Sequence, residues 1–327
     1  MTNRPRIALT LGDPAGVGPE LAAKVIANPD NRRKAQILVL ADRDEIDAGL
    51  RQAGLAMPPV GADLEDGIVI LDDSSAPTSG IPAATESAQA GARALHQLRR
   101  AVALVQAGDA DAIVFAPLNK TSLHLAGMTH EDELRWFADE LGFAGTTSEL
   151  NVLDGLWTAR VTSHVGIEAV AQLVTKDRVI AAIDLLHAVL ADSGIAAPRI
   201  GVAALNPHNG ENGIFGRHEI DEIRPAVADA RARGLDVTGP LPSDTIFLQR
   251  DQFDGIVTMY HDQGQIAMKL LGFDGGVTVQ GGLPVIIATP AHGTAFDIVG
   301  KKRANVASMQ NAFDIAVSVA ASRLMRR

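Results

Sequence analysis

Short apolar segments rich in β-branched residues alternate along this chain with long, alanine-rich segments of helical periodicity. We predict strands at residues 7–11, 37–41, 67–71, 113–116, 199–204, 255–259 and 284–288. Helices are predicted at residues 86–107, which end at Gly108, and at residues 175–193, which end at Gly194. This alternation favours an α/β fold with a mostly parallel sheet and helices on both of its faces.

The composition limits the classes of protein to which the chain can belong. Its 327 residues suffice for two domains or one large α/β unit, and no internal repeat is evident. A formal charge of −10 argues against a general binder of nucleic acid or of anionic membranes. The absence of cysteine excludes disulfides, thiolate catalysis and cysteine-ligated metals, so His, Asp and Glu remain as metal ligands. We find no signal peptide and no apolar run near the ~20 residues of a membrane span, and therefore predict a soluble, cytoplasmic protein.

Three histidines follow apolar segments and lie among polar or glycine-rich residues. His164 stands at a strand-to-helix junction, His208 in a Gly/Asn-rich loop, and His261 directly before Asp262. A loop of that composition offers little packing, so a histidine in it needs another reason to be there. Three imidazoles could hold Zn²⁺ or a similar divalent ion and leave positions open for substrate oxygens. The alternative is three unrelated core or surface histidines.

Several other polar residues follow strands, and each has a simpler structural explanation. The glycines of residues 12–18 are spaced Gly-x3-Gly-x-Gly, unlike a dinucleotide-binding fingerprint, and a tight strand-to-helix turn explains them. Asn119 and Lys120 follow the predicted strand 113–116, where sites collect, although a solvated lysine fits equally well. Asp244 lies in a proline-rich turn, where an Asx cap would also account for it.

Residues 290–301 read Pro-Ala-His-Gly-Thr-Ala-Phe-Asp-Ile-Val-Gly-Lys. This segment resembles the adenosine-binding loop of the isocitrate and isopropylmalate dehydrogenases, which bind NAD(P) without the Rossmann fingerprint. The resemblance implies a cofactor-binding set that consists of His292, Gly293, Thr294, Ala295, Asp297, Ile298 and Asn305.

Six motifs, in order along the chain, resemble those of the 4-hydroxythreonine-4-phosphate dehydrogenase (PdxA) family. They occupy residues 12–20, 206–208, 244–245, 260–264, 269–271 and 292–295. Membership implies an isopropylmalate-dehydrogenase-like α/β fold with two α/β/α domains and a cleft between them. We place the cofactor-side domain at residues 1–120 plus 275–327, and the domain for metal, substrate and dimerisation at residues 121–274.

The resemblance also implies a reaction and a set of site residues. The family is homodimeric, and by its motifs His164, His208 and His261 would hold one divalent metal shared at the subunit interface. Zinc is the first expectation, with cobalt, manganese or magnesium as alternatives. The implied reaction is NAD- or NADP-dependent oxidation of a secondary alcohol near a carboxylate, followed by decarboxylation. Lys269 would contact the substrate and act as the nearby cation or proton relay, and Asp244 would orient substrate or ligand.

The chain departs from the family at the substrate contacts. An ungapped comparison places the family's His-Thr pair on Glu133 and Leu134, and its substrate-binding Asn and Arg on Thr278 and Ile287. Loss of a guanidinium and of neutral donors predicts a weakened phosphate site. Gly281-Gly282 resembles the branch that oxidises cis-dihydrodiol carboxylates such as that from terephthalate.

The sequence therefore leaves three interpretations of the function, of which two concern the substrate. The nominal family substrate is 4-hydroxythreonine-4-phosphate, an intermediate of pyridoxine biosynthesis. A non-phosphorylated substrate, either a cis-dihydrodiol carboxylate or a sugar acid, is the alternative within the enzyme class. A non-catalytic paralogue that binds NAD or a metabolite is the alternative from another class.

Overall fold

The computed structural model describes residues 4–61, 67–77, 80–272 and 274–326. Its strands are β1 (Arg6–Thr10), β2 (Gln36–Leu40), β3 (Ile68–Ile70), β4 (Ala112–Phe115), β5 (Ser148–Leu153), β6 (Leu156–Arg160), β7 (Ile200–Ala203), β8 (Val237–Leu241), β9 (Gly255–Thr258), β10 (Val277–Gly281) and β11 (Ile286–Pro290). Its helices are α1 (Gly18–Ala27), α2 (Pro29–Lys34), α3 (Arg43–Ala53), α4 (Ala88–Ala107), α5 (Lys120–Leu125), α6 (Glu133–Glu140), α7 (Ile167–Leu173), α8 (Lys176–Asp192), α9 (Arg224–Ala232), α10 (His261–Leu271) and α11 (Ala307–Arg326). Within these ranges, no helix has the length and apolar character that crossing a bilayer requires.

The chain divides into two compact units. Unit 1 comprises residues 1–144 and 283–327, and unit 2 comprises residues 145–282. These bounds differ from the predicted domains because α5 and α6 pack against α4 of unit 1, whereas β10 pairs with β5 of unit 2. The C-terminal segment completes unit 1, since β11 pairs with β4.

Unit 1 is built on a parallel sheet in the order β3-β2-β1-β4-β11. Its strands are apolar and buried, as expected for a sheet that helices cover. Helix α4 starts with the side chain of Ser87 accepting from the amide of Ala90, and ends before Gly108 as predicted. Its apolar face packs with β4, α6 and β11 in one core that includes Leu98, Phe137 and Ile287.

Unit 2 contains a mixed sheet in the order β10-β5-β6-β9-β7-β8. The pairs β10/β5 and β5/β6 are antiparallel, and the remaining pairs are parallel. The sequence pattern does not predict β5, β6, β8 or β10. Polar residues of β5, for example Glu149 and Asn151, interrupt the apolar runs by which a strand is recognised in sequence.

The same arginine–aspartate pair occurs in both units. Arg6 donates from its backbone nitrogen, Nε and Nη2 to Asp111 over 2.8, 3.1 and 3.0 Å. Arg199 donates in the same way to Asp254 over 2.9, 3.2 and 2.9 Å. Each arginine stands at or directly before a strand, and each aspartate directly precedes the neighbouring parallel strand. The pair therefore fixes where two adjacent strands begin.

The segments around these pairs form a short repeat, which corrects the expectation that the chain contains none. Residues 5–14 read Pro-Arg-Ile-Ala-Leu-Thr-Leu-Gly-Asp-Pro, and residues 198–207 read Pro-Arg-Ile-Gly-Val-Ala-Ala-Leu-Asn-Pro. The strand order β2-β1-β4-β11 in unit 1 corresponds to β8-β7-β9-β6 in unit 2. The two segments share only a few identical residues, so the repeat is recognised from the matching strand order of the two units.

The turn after β1 is a tight connection between strand and helix. Gly12 has a φ of +69°, and a Cβ placed on it would lie 2.4 Å from the carbonyl oxygen of Ala116. Asp13 follows it with a buried carboxyl group whose Oδ1 accepts from the amide of Ala15 at 2.8 Å. Burial raises the pKa of the Asp13 carboxyl, although the Ala15 amide and the Ser122 hydroxyl favour its charged form.

We predict that Asp254→Asn lowers the free energy of unfolding at pH 7 by about 1 kcal/mol. Hydrogen bonds from Arg199 lower the pKa of Asp254 below its ordinary value of 3.8, so the charged form stabilises the folded state above that pH. As the pH falls through the lowered pKa, this contribution disappears and the variant approaches the parent. Urea unfolding at a series of pH values measures the difference, and an equal deficit in acid would contradict the assignment.

Asp13→Asn should change the free energy of unfolding at pH 7 in the opposite direction. Because burial raises the pKa of Asp13, the native state favours the protonated carboxyl, and its contribution is lost as the pH rises through the raised pKa. We expect the neutral amide to raise the free energy of unfolding at pH 7 by about 1 kcal/mol, with no difference in acid. The same unfolding series tests this, and a variant less stable than the parent at pH 7 would show that the fold needs this charge.

Candidate functional site

Unit 2 gathers its chemically active side chains at one edge of its sheet. His164 follows β6, His261 follows β9, His208 follows β7 and Asp244 follows β8. These four strands are neighbours in the order β6-β9-β7-β8, and all run parallel. The carboxyl ends of parallel strands meet at the same edge, which is where open α/β sheets bind ligands.

His164 and His261 line a single cavity. Its volume is about 260 Å³, and its walls also include Thr162, Ser163 and Tyr260. The two imidazole centroids lie 5.8 Å apart. The hydroxyl of Thr162 donates to the carbonyl of Met259 at 2.8 Å, so the two segments that carry these histidines are tied together.

The geometry of these two histidines suits a shared metal ion. A zinc–nitrogen bond of about 2.1 Å puts the ring centroids of two ligands on one tetrahedral ion on the order of 5 Å apart. Nδ1 of His261 is hydrogen-bonded to Oδ1 of Asp262 at 2.7 Å, which leaves Nε2 for ligation. A carboxylate on the second ring nitrogen is the usual arrangement around a metal-binding histidine, because it fixes ring orientation and tautomer.

His208 lies in an exposed turn whose backbone has an uncommon conformation. Its φ and ψ are 52° and 35°, in the left-handed region that residues with a side chain rarely adopt. The ring lies near Phe215, with centroids 6.3 Å apart. Because β7 and β9 are parallel neighbours, His208 and His261 follow strands that end at the same edge of the sheet.

The two predicted catalytic residues are exposed to solvent. Lys269 lies on α10 eight residues after His261, so about 12 Å separates them along the helix axis. Asp244 follows β8 in a turn where the backbone amide of Thr245 donates to the carbonyl of Pro242 at 3.1 Å. Both side chains are accessible to a ligand, and neither lines the cavity of His164 and His261.

The predicted cofactor loop forms one anchored segment of unit 1. The carbonyl of Thr294 accepts from the amide of Val17 at 3.0 Å, and Ala295 has a φ of +45°. Beyond Asp297 and Ile298, the Ala304 amide donates to Glu20, and Lys24 donates to the Ala304 carbonyl at 2.7 Å. The loop is therefore fixed at two places, to the residue before α1 and to α1 itself.

Between these anchors the loop offers groups that suit a nucleotide. Space around Gly293 is open, with no atom within 4 Å of a Cβ placed there. The carboxylate of Asp297 is exposed, as is the side chain of Asn305, whose Oδ1 accepts from the Ala307 amide at 3.0 Å. Nδ1 of His292 lies 2.9 Å from the Gly293 carbonyl. The residues present fit a nucleotide that approaches the backbone closely.

The proposed substrate contacts need correction. Leu134 and Ile287 are 4% and 0% exposed and belong to the apolar core of unit 1, so they offer no surface to a ligand. Glu133 is 9% exposed in the first turn of α6, and Oγ1 of Thr278 accepts from Asn151 at 3.3 Å. None of the four supplies a cation, so any phosphate site in this chain must be formed by other residues.

The sequence reading also missed residues around the histidine cavity. Thr162, Ser163 and Tyr260 line it, and each lies within two positions of a predicted histidine. Closeness in sequence to the histidines was the available signal. The cavity itself depends on the pairing of β6 with β9, which residue order does not reveal.

Comparison with known proteins identifies the family. The model described as "Pyridoxal phosphate biosynthetic protein PdxA" matches residues 32–316. A Pseudomonas aeruginosa protein named "Putative 4-hydroxythreonine-4-phosphate dehydrogenase 2" is 53% identical over 323 residues, which cover 95% of this chain and 96% of that protein. The D-threonate 4-phosphate dehydrogenase of Cupriavidus necator is 39% identical over 328 residues, with 98% of each chain covered.

A solved structure agrees with these matches. The crystal structure of 4-hydroxythreonine-4-phosphate dehydrogenase from Klebsiella pneumoniae is 34% identical, covers 98% of this chain and 99% of its own, and gives a TM-score of 0.84. The predicted α/β fold is thereby confirmed, and this chain shares it with the solved dehydrogenase. The chain belongs to the PdxA family of dehydrogenases.

Proposed function

We propose that this protein is an NAD(P)- and divalent-metal-dependent dehydrogenase that oxidises a secondary alcohol near a carboxylate and then releases CO₂. The observation that carries the proposal is the strand edge of unit 2, where β6, β9 and β7 each lead to a histidine. The family supplies the dehydrogenase class. The chemistry of the site supplies the metal dependence, because imidazole groups suit zinc and related ions.

The residues of unit 2 would divide the work between binding and proton transfer. His164, His208 and His261 would hold the metal, and Asp262 would keep the ring of His261 in the ligating orientation. When bound, such an ion would lower the pKa of the substrate alcohol and stabilise the enolate left after decarboxylation. Lys269 would provide the positive charge or proton for that enolate, and Asp244 would orient the substrate.

The loop from His292 to Asn305 would hold the nucleotide. The open space at Gly293 would let the cofactor approach the backbone, and Asp297 would accept hydrogen bonds from ribose hydroxyls. Its anchors on Val17, Glu20 and Lys24 would keep it in place before binding. A bound NAD or NADP would accept the hydride of the alcohol carbon.

A small phosphorylated hydroxy acid is the substrate class we propose. The relatives are named for 4-hydroxythreonine-4-phosphate and D-threonate 4-phosphate, which share a carboxylate, a hydroxyl and a phosphate group. One observation favours the alternative, an unphosphorylated hydroxy acid: no cation stands at Glu133, Leu134, Thr278 or Ile287. Lys269 is an exposed lysine of unit 2 that could serve the phosphate instead. A cytoplasmic location is part of the proposal.

The distribution of exposed apolar residues supports a homodimer formed through unit 2. Of the eleven large apolar side chains that are exposed among the described residues, eight belong to this unit: Val165, Ile167, Ile214, Phe215, Leu248, Ile266, Leu270 and Leu271. Several of them follow closely on the three histidines. Exposed apolar surface at such a density marks a protein–protein contact, and a second copy is the partner we propose. The metal site would then lie at the interface of the two copies.

We predict that the purified protein, supplied with zinc, cobalt or manganese, reduces NAD or NADP when given a 4-phosphorylated hydroxy acid. Turnover of 4-hydroxythreonine-4-phosphate or D-threonate 4-phosphate should exceed that of the unphosphorylated counterparts by ~100-fold in kcat/KM, the worth of two charge-assisted hydrogen bonds. Chelation should abolish activity, and added metal should restore it. His208→Ala should lower kcat/KM by ~1,000-fold or more, while His187→Ala on α8 serves as the matched control.

Other outcomes of this assay discriminate the alternatives. If the protein turned over only unphosphorylated acids or a cis-dihydrodiol carboxylate, the proposed substrate class would be wrong. The proposed metal-dependent oxidation and decarboxylation would still stand. Binding of NAD or NADP in calorimetry without turnover of any of these compounds would point to a non-catalytic paralogue.

We predict that Ile214→Asp, at a side chain 75% exposed in unit 2, converts the dimer into monomers. A buried charge at a subunit contact costs several kcal/mol, enough to shift the association by orders of magnitude. Sedimentation velocity measures the change, and Met325→Asp, at a side chain 82% exposed in unit 1, is the control that should stay dimeric. If the monomer kept full zinc affinity, the metal site could not be shared between copies.

A further inference from the structure

The turn that carries His208 consists of five successive residues in the left-handed region. The φ angles are 52°, 58°, 76°, 40° and 54° for His208, Asn209, Gly210, Glu211 and Asn212. This conformation is unfavourable for a residue with a Cβ, because the Cβ comes too close to the following carbonyl oxygen. Four of the five carry one, so the turn can persist only where its surroundings determine it.

Glu219 determines the segment just before this turn. It is fully buried, and its Oε1 accepts from the backbone amides of Leu205 and Asn206 at 2.9 and 2.6 Å. Its Oε2 accepts from Nδ2 of Asn206 at 3.0 Å. Hydrogen bonds from three donors to one carboxylate without solvent are strong and directional, because the local dielectric is low. They fix the chain at the two positions that precede Pro207.

The same carboxylate also packs against the turn itself. A Cβ placed on Gly210 would lie 2.6 Å from Oε2 of Glu219 and 3.0 Å from the carbonyl oxygen of Gly216. The left-handed turn therefore closes directly onto the carboxylate, and only glycine fits at its centre. Glu219 thus contacts the segment before His208 and the turn that follows it.

The partners of Glu219 explain why a carboxylate occupies this buried position. Its hydrogen-bond donors are two backbone amides and one side-chain amide, and no cation is among them. Burying a charge without a counter-ion is strongly unfavourable unless hydrogen bonds replace the lost hydration. Burial of an uncharged, apolar residue at this position would be less unfavourable. The carboxylate is therefore explained by the hydrogen bonds that it accepts.

We propose that Glu219 is a positioning residue that sets the location of His208 for metal binding. This inference rests on the proposed function, in which His208 is a metal ligand. Glu219 acts through the backbone and through Asn206, and its role is to keep the left-handed turn in one conformation before the ion arrives. Preorganisation of this kind raises metal affinity, because the entropy of ordering the ligand is already lost.

The test exchanges donor and acceptor between two contacting side chains. Asn206→Asp places a carboxylate against that of Glu219, and we expect zinc affinity to fall by about 10- to 100-fold, the usual effect of losing a residue that orients a ligand. The double variant Asn206→Asp/Glu219→Gln restores one donor and one acceptor and should recover most of the affinity. Titration calorimetry of the protein with zinc gives these values.

Glu222→Gln is the matched control. Glu222 lies three residues further along, and its carboxylate accepts from the amide of Lys176 at 2.6 Å, away from the His208 turn. This variant should bind zinc as the parent does. If Asn206→Asp also bound zinc with the affinity of the parent, the positioning role would be overturned, whatever its effect on thermal stability.

A second measurement separates this inference from the metal proposal. Selectively labelled histidine gives ring resonances without any metal, and the His208 resonance should shift in Asn206→Asp and return in the double variant. If the parent binds no zinc, cobalt or manganese, the proposed metal function fails, and the ring resonance still decides whether Glu219 sets the position of His208. An unchanged resonance in Asn206→Asp would overturn the inference.

Discussion

Parallel hydrogen bonding between β6, β9, β7 and β8 is the constraint on which the candidate site of unit 2 depends. Because parallel strands all end at one edge, four turns that are far apart in sequence become neighbours there. Each of these turns carries a histidine or an aspartate. A change of one residue in the start of a strand would move its turn by about 3.3 Å, which is more than a metal–ligand bond tolerates.

The arginine–aspartate pairs fix the register of the parallel strands at the end opposite to the candidate site. Asp254 precedes β9 and binds both the backbone and the guanidinium of Arg199 before β7, so the two strands start in fixed register. The same arrangement joins Arg6 and Asp111 in unit 1, where the strands lead to the turn at Asp13 and to Asn119. The repeated pair indicates that both units solve the same problem of register with the same interaction.

Several local features near the ends of these strands lower the stability of the fold. The left-handed turn at His208 and the buried carboxyl groups of Asp13 and Glu219 all cost free energy that the surrounding structure must offset. The apolar cores of the two units, centred on residues such as Phe137 and Ile256, provide that stability. Unfavourable local features concentrated next to ligand-type side chains are the pattern expected of a functional site.

The sequence by itself determined the fold class, the family, and the two strand ends that His208 and His261 follow. Apolar periodicity and turn residues are local properties, so α4, α8 and the strands leading to His208 and His261 could be recognised from neighbouring residues alone. Burial and hydrogen-bond partners are not local. Only the tertiary structure showed that Leu134 and Ile287 belong to the core, because that depends on contacts with β4 and α4. Likewise, the cavity of His164 and His261 arises where segments distant in sequence meet. The contacts of Glu219 with the His208 turn join residues about a dozen positions apart, and they too depend on how the chain folds back.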